Sequence, residues 1–319
     1  MSVRAEETID RASLRLVFAG SPAAAVPSLR ALADSAHEIV SVITREDSPL
    51  GRRAVLTPTP VAVAAEELGL PVIRANRLAG AASDAIGELH PDLGVIVAYG
   101  GLVREPLLST PRMGWINLHF SLLPRWRGAA PVQRAIIAGD ELTGASVFQL
   151  VPELDAGDVY GQLTQPIGAL ETAGHLLESL SEAGAALLLR VVDNLADGTA
   201  RAQAQSGDVT LAPKLLLEDG RVDWAASAPV VASLIRGVTP EPGAFTMLDG
   251  ARLKIHDAAI ARDAPRQGPG ELRLDGRRLL IGTGTDPLEL ITVQPAGGRP
   301  MSAPDWWRGR PGDAGRTAE

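Results

Sequence analysis

The sequence has no cysteine. That excludes disulfides, thiolate metal sites and a cysteine nucleophile, and it makes the cytoplasm the natural compartment. No apolar run is long enough to cross a bilayer. The first dozen residues lack the apolar stretch and small-residue cleavage site of a secretory signal, so 1–12 is expected to be a mobile head. An excess of positive charge is missing too: the net charge of −8 argues against indiscriminate binding to nucleic acid or acidic membranes and leaves room only for a local basic patch. There is no internal repeat and no low-complexity tract. Gly20-Ser21-Pro22 follows an apolar run, but neither a Gly-x-Gly-x-x-Gly nor a Walker pattern accompanies it, so a nucleotide-phosphate loop is a weak reading.

What is present is an alternation. Apolar, β-prone runs at 14–19, 39–44, around Val72, at 93–98, 115–118, 146–150 and 159–165 are separated by helical stretches ending near Leu32, at 61–68 and at 81–89. A long apolar-periodic helix over 172–195 closes at Asp197-Gly198. The pattern predicts a Rossmann-like α/β domain with a parallel sheet and crossover helices over 13–197. Residues 198–217 are poor in apolar periodicity and read as a linker. A helix at 228–237 and short β-like runs spaced by Gly and Asp predict a small, OB-like β-barrel over 218–308, with a polar tail at 309–319.

Chemistry concentrates just past the 115–118 run, in Ile116-Asn117-Leu118-His119-Phe120-Ser121-Leu122-Leu123-Pro124-Arg125-Trp126-Arg127-Gly128. In an extended segment Asn117, His119 and Ser121 share one face, while Leu118 and Phe120 turn toward the core. An amide that can donate to a developing oxyanion beside an imidazole that titrates near neutrality suits attack of an amine on a carbonyl. A strand end with two satisfied polar groups is the plainer alternative. Downstream, Glu153-Leu154-Asp155-Ala156-Gly157-Asp158 is a Gly-containing turn from which Asp155 could pair with His119; alone it would read as an ordinary Asp-rich turn.

In these residues, together with Val17-Phe18-Ala19-Gly20-Ser21-Pro22, Val97-Ala98-Tyr99-Gly100 and Gln294-Pro295-Ala296-Gly297, the sequence resembles the methionyl-tRNA formyltransferases, within the wider folate-dependent formyltransferase group. The resemblance runs from about Leu14 to Trp307. Asn-x-His, Ser-Leu-Leu-Pro and Asp-x-Gly-Asp mark the group, and Pro-Arg-Trp-Arg-Gly-Ala-Ala-Pro marks its tRNA-directed branch. The resemblance implies formyl transfer from 10-formyltetrahydrofolate to the α-amine of initiator methionyl-tRNA, without a metal; a monomer is expected. Asn117, His119 and Asp155 match the catalytic trio, with a protonated His119 charged and held by Asp155. It also implies folate contacts from Tyr99, Gly100, Gly101, Leu102, Val103, Ser121, Leu122, Leu123, Pro124 and Leu154, with Ser121 in a supporting part.

For tRNA, the long connection 45–60 offers Arg45, Arg52 and Arg53, and Arg127 fits the same surface. Glu46-Asp47 departs from the usual basic character there. Arg236, Arg252 and Arg273 suit a platform for the tRNA stem. His37, His90, His175 and His256 stand without a partner carboxylate in the sequence, and Trp306-Trp307 reads as a pin for a last helix. The rivals are another folate formyltransferase acting on an amino sugar or purine precursor, a hydrolase that passes the formyl group to water, and a catalytically silent RNA-binding protein.

Overall fold

The run RLVFAG forms the strand Arg15–Gly20, and all but its first residue are buried. Burial on both faces is what a central strand of a helix-covered parallel sheet requires, and it explains why the run is continuously apolar instead of alternating. The computed structural model describes residues 13–50, 54–310 and 317–319. The mobile head at 1–12, most of the tail at 309–319, and Arg52 and Arg53 therefore lie outside the described residues.

The chain divides into two compact units. The first comprises Met1–Arg127, Gly144–Gln165 and Glu178–Thr210. Its seven-stranded sheet has the order Val159–Pro166, Leu142–Gln149, Trp115–His119, Leu93–Val97, Arg15–Gly20, Glu38–Thr44, Val72–Arg74. The pairings among the last five strands are parallel. Trp115–His119 pairs antiparallel with Leu142–Gln149, so the sheet is mixed where an all-parallel one was expected. The strand Leu142–Gln149 is buried over six consecutive residues, and such a run carries no periodic trace of its direction.

Helices Val26–Ala33, Pro60–Glu67 and Ala81–Glu88 lie between the parallel strands in sequence, as right-handed crossovers need. Pro60–Glu67 starts on a side-chain cap: Thr59 Oγ1 accepts from the Ala62 amide at 3.0 Å, with Pro60 at the first helical position where no amide hydrogen is needed. The connection before it, expected as a plain loop, contains a short antiparallel hairpin of Ser48–Leu50 with Val55–Thr57. His37 also departs from expectation. Its Nε2 meets Asp193 Oδ1 at 3.1 Å and its Nδ1 accepts the Leu14 amide at 3.2 Å, a partnership across 156 residues that local sequence does not reveal.

Gly94 explains how the sheet holds Trp115. A Cβ at position 94 would lie 2.1 Å from Cδ2 of that ring. The indole is fully buried and donates to the Leu107 carbonyl at 2.8 Å, so it cannot swing away. Gly94→Ala is expected to destabilise the protein by about 2–3 kcal/mol through overpacking, read as a lower midpoint in denaturant unfolding.

The second unit comprises Gly128–Thr143, Pro166–Leu177 and Leu211–Glu319. Within it, the strands Ala244–Leu248, Ala251–Ile260, Leu288–Pro295, Arg278–Ile281 and Leu272–Asp275 follow one another in an antiparallel sheet, and Met301–Ser302 adds to Leu288–Pro295. A strongly antiparallel sheet around one apolar core is consistent with a small barrel. Helix Ala228–Gly237 presents Val231 and Ile235 to that core, which Leu253, Ile255, Leu279, Ile281, Leu290 and Val293 complete. Trp306 and Trp307 are 7% and 5% exposed and pin the helix Ala303–Arg308. Helix Pro131–Ala138, which the sequence reading did not anticipate, also belongs here.

Candidate functional site

Strand Trp115–His119 lies between a parallel and an antiparallel neighbour, and its last residues carry the polar pair out of the sheet. Asn117 is half-buried, and its side-chain amide has no hydrogen-bond partner among the described residues. Its amide hydrogens and oxygen therefore use none of their hydrogen-bonding capacity among the described residues.

His119 is 6% exposed. Its Nε2 lies 2.8 Å from the Trp126 carbonyl oxygen. A carbonyl can only accept, so Nε2 carries the hydrogen and Nδ1 of the neutral ring is a bare lone pair. That Nδ1 faces Asp155 Oδ2 at 3.8 Å, beyond hydrogen-bond length but within ion-pair range. Phe148 stands edge-on to the imidazole, with ring centroids 6.4 Å apart. Burial is the largest influence on the ring and lowers its pKa below the usual imidazole value; the Asp155 charge and the Trp126 carbonyl raise it, but by less. The net direction favours the neutral ring, with its hydrogen on Nε2.

The turn carrying Asp155 folds tightly against the sheet. Asp155 has φ +46°, a left-handed conformation unusual for a residue with a Cβ. Gly157 passes so close to strand Leu142–Gln149 that a Cβ would fall 1.8 Å from the Gln149 carbonyl oxygen, and the Gln149 amide donates to the Asp158 carbonyl at 2.9 Å. Only glycine lets the turn approach this far, and the approach brings the Asp155 carboxylate to the imidazole.

Ser121 is fully buried, and its hydroxyl donates to the Arg125 carbonyl at 2.6 Å. Ser146 Oγ donates to the Ser121 carbonyl at 2.6 Å and accepts the Leu123 amide at 3.2 Å and Gln162 Nε2 at 2.9 Å; Gln162 also reaches the Leu123 carbonyl at 3.0 Å. Ser146 and Gln162, absent from the sequence candidates, therefore brace the segment after His119. The only signal for Gln162 was a period-two polar alternation, which any half-exposed strand shows, and Ser146 in its continuously buried strand left none.

Of the folate candidates, Leu102 and Leu154 are large apolar side chains at 66% and 56% exposure, Gly100 is exposed, and Gly101, Val103 and Leu122 are half-buried. Leu123 and Pro124 are buried. The Tyr99 ring is 1% exposed, its hydroxyl donates to the Ala75 carbonyl, and burial pushes its pKa up. Its side chain is core, so only its backbone can face a ligand.

Two of the tRNA candidates are engaged within the protein. Arg45 donates through Nε to the Tyr99 carbonyl at 3.2 Å and through Nη2 to the Gly100 carbonyl, tying down the 99–103 segment. Arg127 donates through Nε and Nη2 to Gln205 Oε1 at 3.1 and 2.6 Å. Both guanidinium groups thus hold segments of the first unit together. Arg236, in the second unit, is likewise internal: Nη1 donates to the Glu171 carbonyl at 3.2 Å, and burial lowers its pKa. Arg252 lies over the Phe245 ring at 5.3 Å, and Arg273 is exposed. Among the described residues, no cluster of three or more His, Cys, Asp or Glu could hold a metal, and no helix is long and apolar enough to cross a membrane.

Residues 14–192 match the family described as Formyl transferase, and residues 214–311 match Formyl transferase, C-terminal domain. The chain is 62% identical over 301 residues to a protein of Leifsonia xyli subsp. xyli named Methionyl-tRNA formyltransferase, covering 94% of this chain and 99% of that one. A Clavibacter sepedonicus protein of the same name is 62% identical over 297 residues, covering 93% and 97%. Among solved structures, an N-formyltransferase from Helicobacter canadensis, in complex with folinic acid and dTDP-3-aminofucose, superposes with a TM-score of 0.67 at 16% identity over 87% of this chain and 98% of that one. HypX from Aquifex aeolicus gives a TM-score of 0.64 at 18% identity over 92% of this chain, which spans about half (48%) of HypX. At these identities the two structures speak to fold alone.

Proposed function

Because the chain belongs to the formyl transferase family, we propose that it transfers the formyl group of 10-formyltetrahydrofolate to the α-amine of methionine on initiator methionyl-tRNA, supporting translation initiation. Near-full-length similarity to proteins named Methionyl-tRNA formyltransferase carries the choice of substrate. The chemistry rests on the unpaired Asn117 amide beside a His119 ring whose Nδ1 is free to take a proton.

The neutral amine of methionine attacks the formyl carbon, and the carbonyl π electrons move to oxygen. Asn117 donates to that oxyanion; a donor fixed in a partly water-excluded site stabilises charge more than water would, because it needs no reorientation. His119 Nδ1 takes the proton released as the amine nitrogen becomes bonded to carbon. The imidazolium so formed faces Asp155 at ion-pair distance, which offsets the burial that disfavours it at rest. The imidazolium returns its proton to N10 of the folate as the C–N10 bond breaks and the carbonyl reforms. Formyl-methionyl-tRNA and tetrahydrofolate leave with all protons accounted for. Asp155 thus charges His119 during the reaction, not before it.

The folate ring sits against the exposed apolar side chains of Leu102 and Leu154, with backbone groups of 99–103 at its polar edge and the braced segment 121–124 beside it. The hairpin Ser48–Leu50 with Val55–Thr57 exposes Val55 and Leu56 at 59% and 67%, which supports apolar packing on the acceptor end of the tRNA. Arg52 and Arg53 would supply phosphate contacts from the same connection. The deciding measurement is transfer of labelled formyl from 10-formyltetrahydrofolate to initiator methionyl-tRNA, with uncharged tRNA and free methionine as comparison acceptors. Label on the charged tRNA alone is expected; formate release with no acceptor labelled would replace the transferase by a hydrolase.

A further inference from the structure

Gln205 lies in the stretch read from sequence as a linker, yet its side chain makes four hydrogen bonds inside the first unit. Oε1 accepts from Arg127 Nε at 3.1 Å and Nη2 at 2.6 Å. Nε2 donates to the Asp155 carbonyl at 2.7 Å and to the Gly157 carbonyl at 2.9 Å. The orientation of the amide is unambiguous, because guanidinium nitrogens only donate and carbonyls only accept. Every polar capacity that matters is used, which a residue of a passive connection has no reason to achieve.

The two segments joined in this way are the two that hold the imidazole. Arg127 follows Trp126, whose carbonyl fixes the His119 tautomer; the Trp126 amide is itself held by Thr210 Oγ1 at 2.8 Å. Asp155 supplies the carboxylate that faces Nδ1. Both anchoring residues are strained, Trp126 at φ +61° and Asp155 at φ +46°. Such conformations in residues with a Cβ persist only where surrounding contacts over-determine them. Gln205 bonds to the Asp155 carbonyl itself and to the residue next to Trp126, so it braces both strained points at once.

We propose that Gln205 is a positioning residue for formyl transfer: its amide locks the loop whose Trp126 carbonyl orients His119 to the turn that carries Asp155. Gln205 touches neither substrate nor reacting atoms and acts through His119 and Asp155, so the proposal rests on the reading of those residues given above. The same bonds assign Arg127 an internal duty as the acceptor-side anchor of the clamp.

The test measures kcat and KM for formylation of initiator methionyl-tRNA and follows the His119 imidazole by NMR across pH. Gln205→Met keeps chain length and removes all four bonds. Its kcat is expected to fall about 10- to 100-fold, as sub-ångström misplacement of a reacting group does, with both KM values within about threefold. The His119 titration, and the limb of the pH–rate profile that belongs to it, should move to lower pH, as the carboxylate that raises its pKa relaxes away. Gln205→Glu keeps the contact with Arg127 but sets a carboxylate oxygen against two carbonyls. Its kcat should fall comparably, and it decides the question if Gln205→Met does not fold. Unchanged kcat in the folded variants, or a loss in Gln205→Met with His119 titrating as in the parent, overturns the proposal. Full activity in His119→Ala and Asp155→Asn controls would instead bring down the reading of the site on which it rests.

Discussion

Alanine at His119 is expected to reduce formyl transfer by about 10²- to 10⁴-fold, because a positioned acid–base group contributes that much. The imidazole is 6% exposed and held on one side by a main-chain carbonyl. Truncation leaves that carbonyl without its donor, so some loss of stability accompanies the loss of turnover; a lower unfolding midpoint with a folded baseline separates the two. Asn117→Ala is the cleaner companion. Its amide has no partner among the described residues, so removal strands no group of the protein, and an unchanged melting temperature should accompany a loss of about 3 kcal/mol in transition-state stabilisation. If both variants turned over at the parental rate in the labelled-formyl assay, the proposed chemistry would be wrong, whatever the family.

The order of strands and crossover helices was legible because burial on both faces forces continuous apolar runs, as in Arg15–Gly20 and Leu93–Val97, and helix-covered strands must alternate with helices. Asn117 and His119 were legible because polar residues at i and i+2 interrupt such a run, and a pleated strand places them on one face. Direction, tautomer and long-range partners were not. The antiparallel pairing of Leu142–Gln149 leaves no periodic mark. Asp193 meets His37 from another element, and Gln205 reaches Asp155 from 50 residues away. The lowering of the His119 pKa comes from how completely the fold excludes water from it, a property of packing that no motif encodes. The partners of the arginines were hidden for a related reason: the sequence supplies a cation, but whether it ties down a main-chain carbonyl, as Arg45 does, or a side-chain amide, as Arg127 does, is settled by the backbone around it.

Asp155→Asn is expected to give the largest change in pH behaviour. The substitution keeps the size of the side chain and removes the charge that raises the His119 pKa, while the burial that lowers it stays. The His119 pKa therefore falls further, and its limb of the kcat/KM profile moves to lower pH whichever protonation state the limb reports. Turnover falls at every pH, since the imidazolium formed during transfer loses the carboxylate 3.8 Å away; a loss of about 10²- to 10⁴-fold matches what carboxylates supporting a catalytic imidazole contribute elsewhere. Stability carries the same sign. His119 has a folded pKa below its unfolded value of about 6.5, so the unfolded chain binds more protons in the interval between them, and stability is lost as pH falls through that window. Asp155→Asn widens the window downward and steepens acid unfolding; His119→Gln removes its contribution. Urea midpoints of the parent and the two variants across that range check the ordering, and a parent curve with the same acid slope as His119→Gln would contradict a neutral resting imidazole.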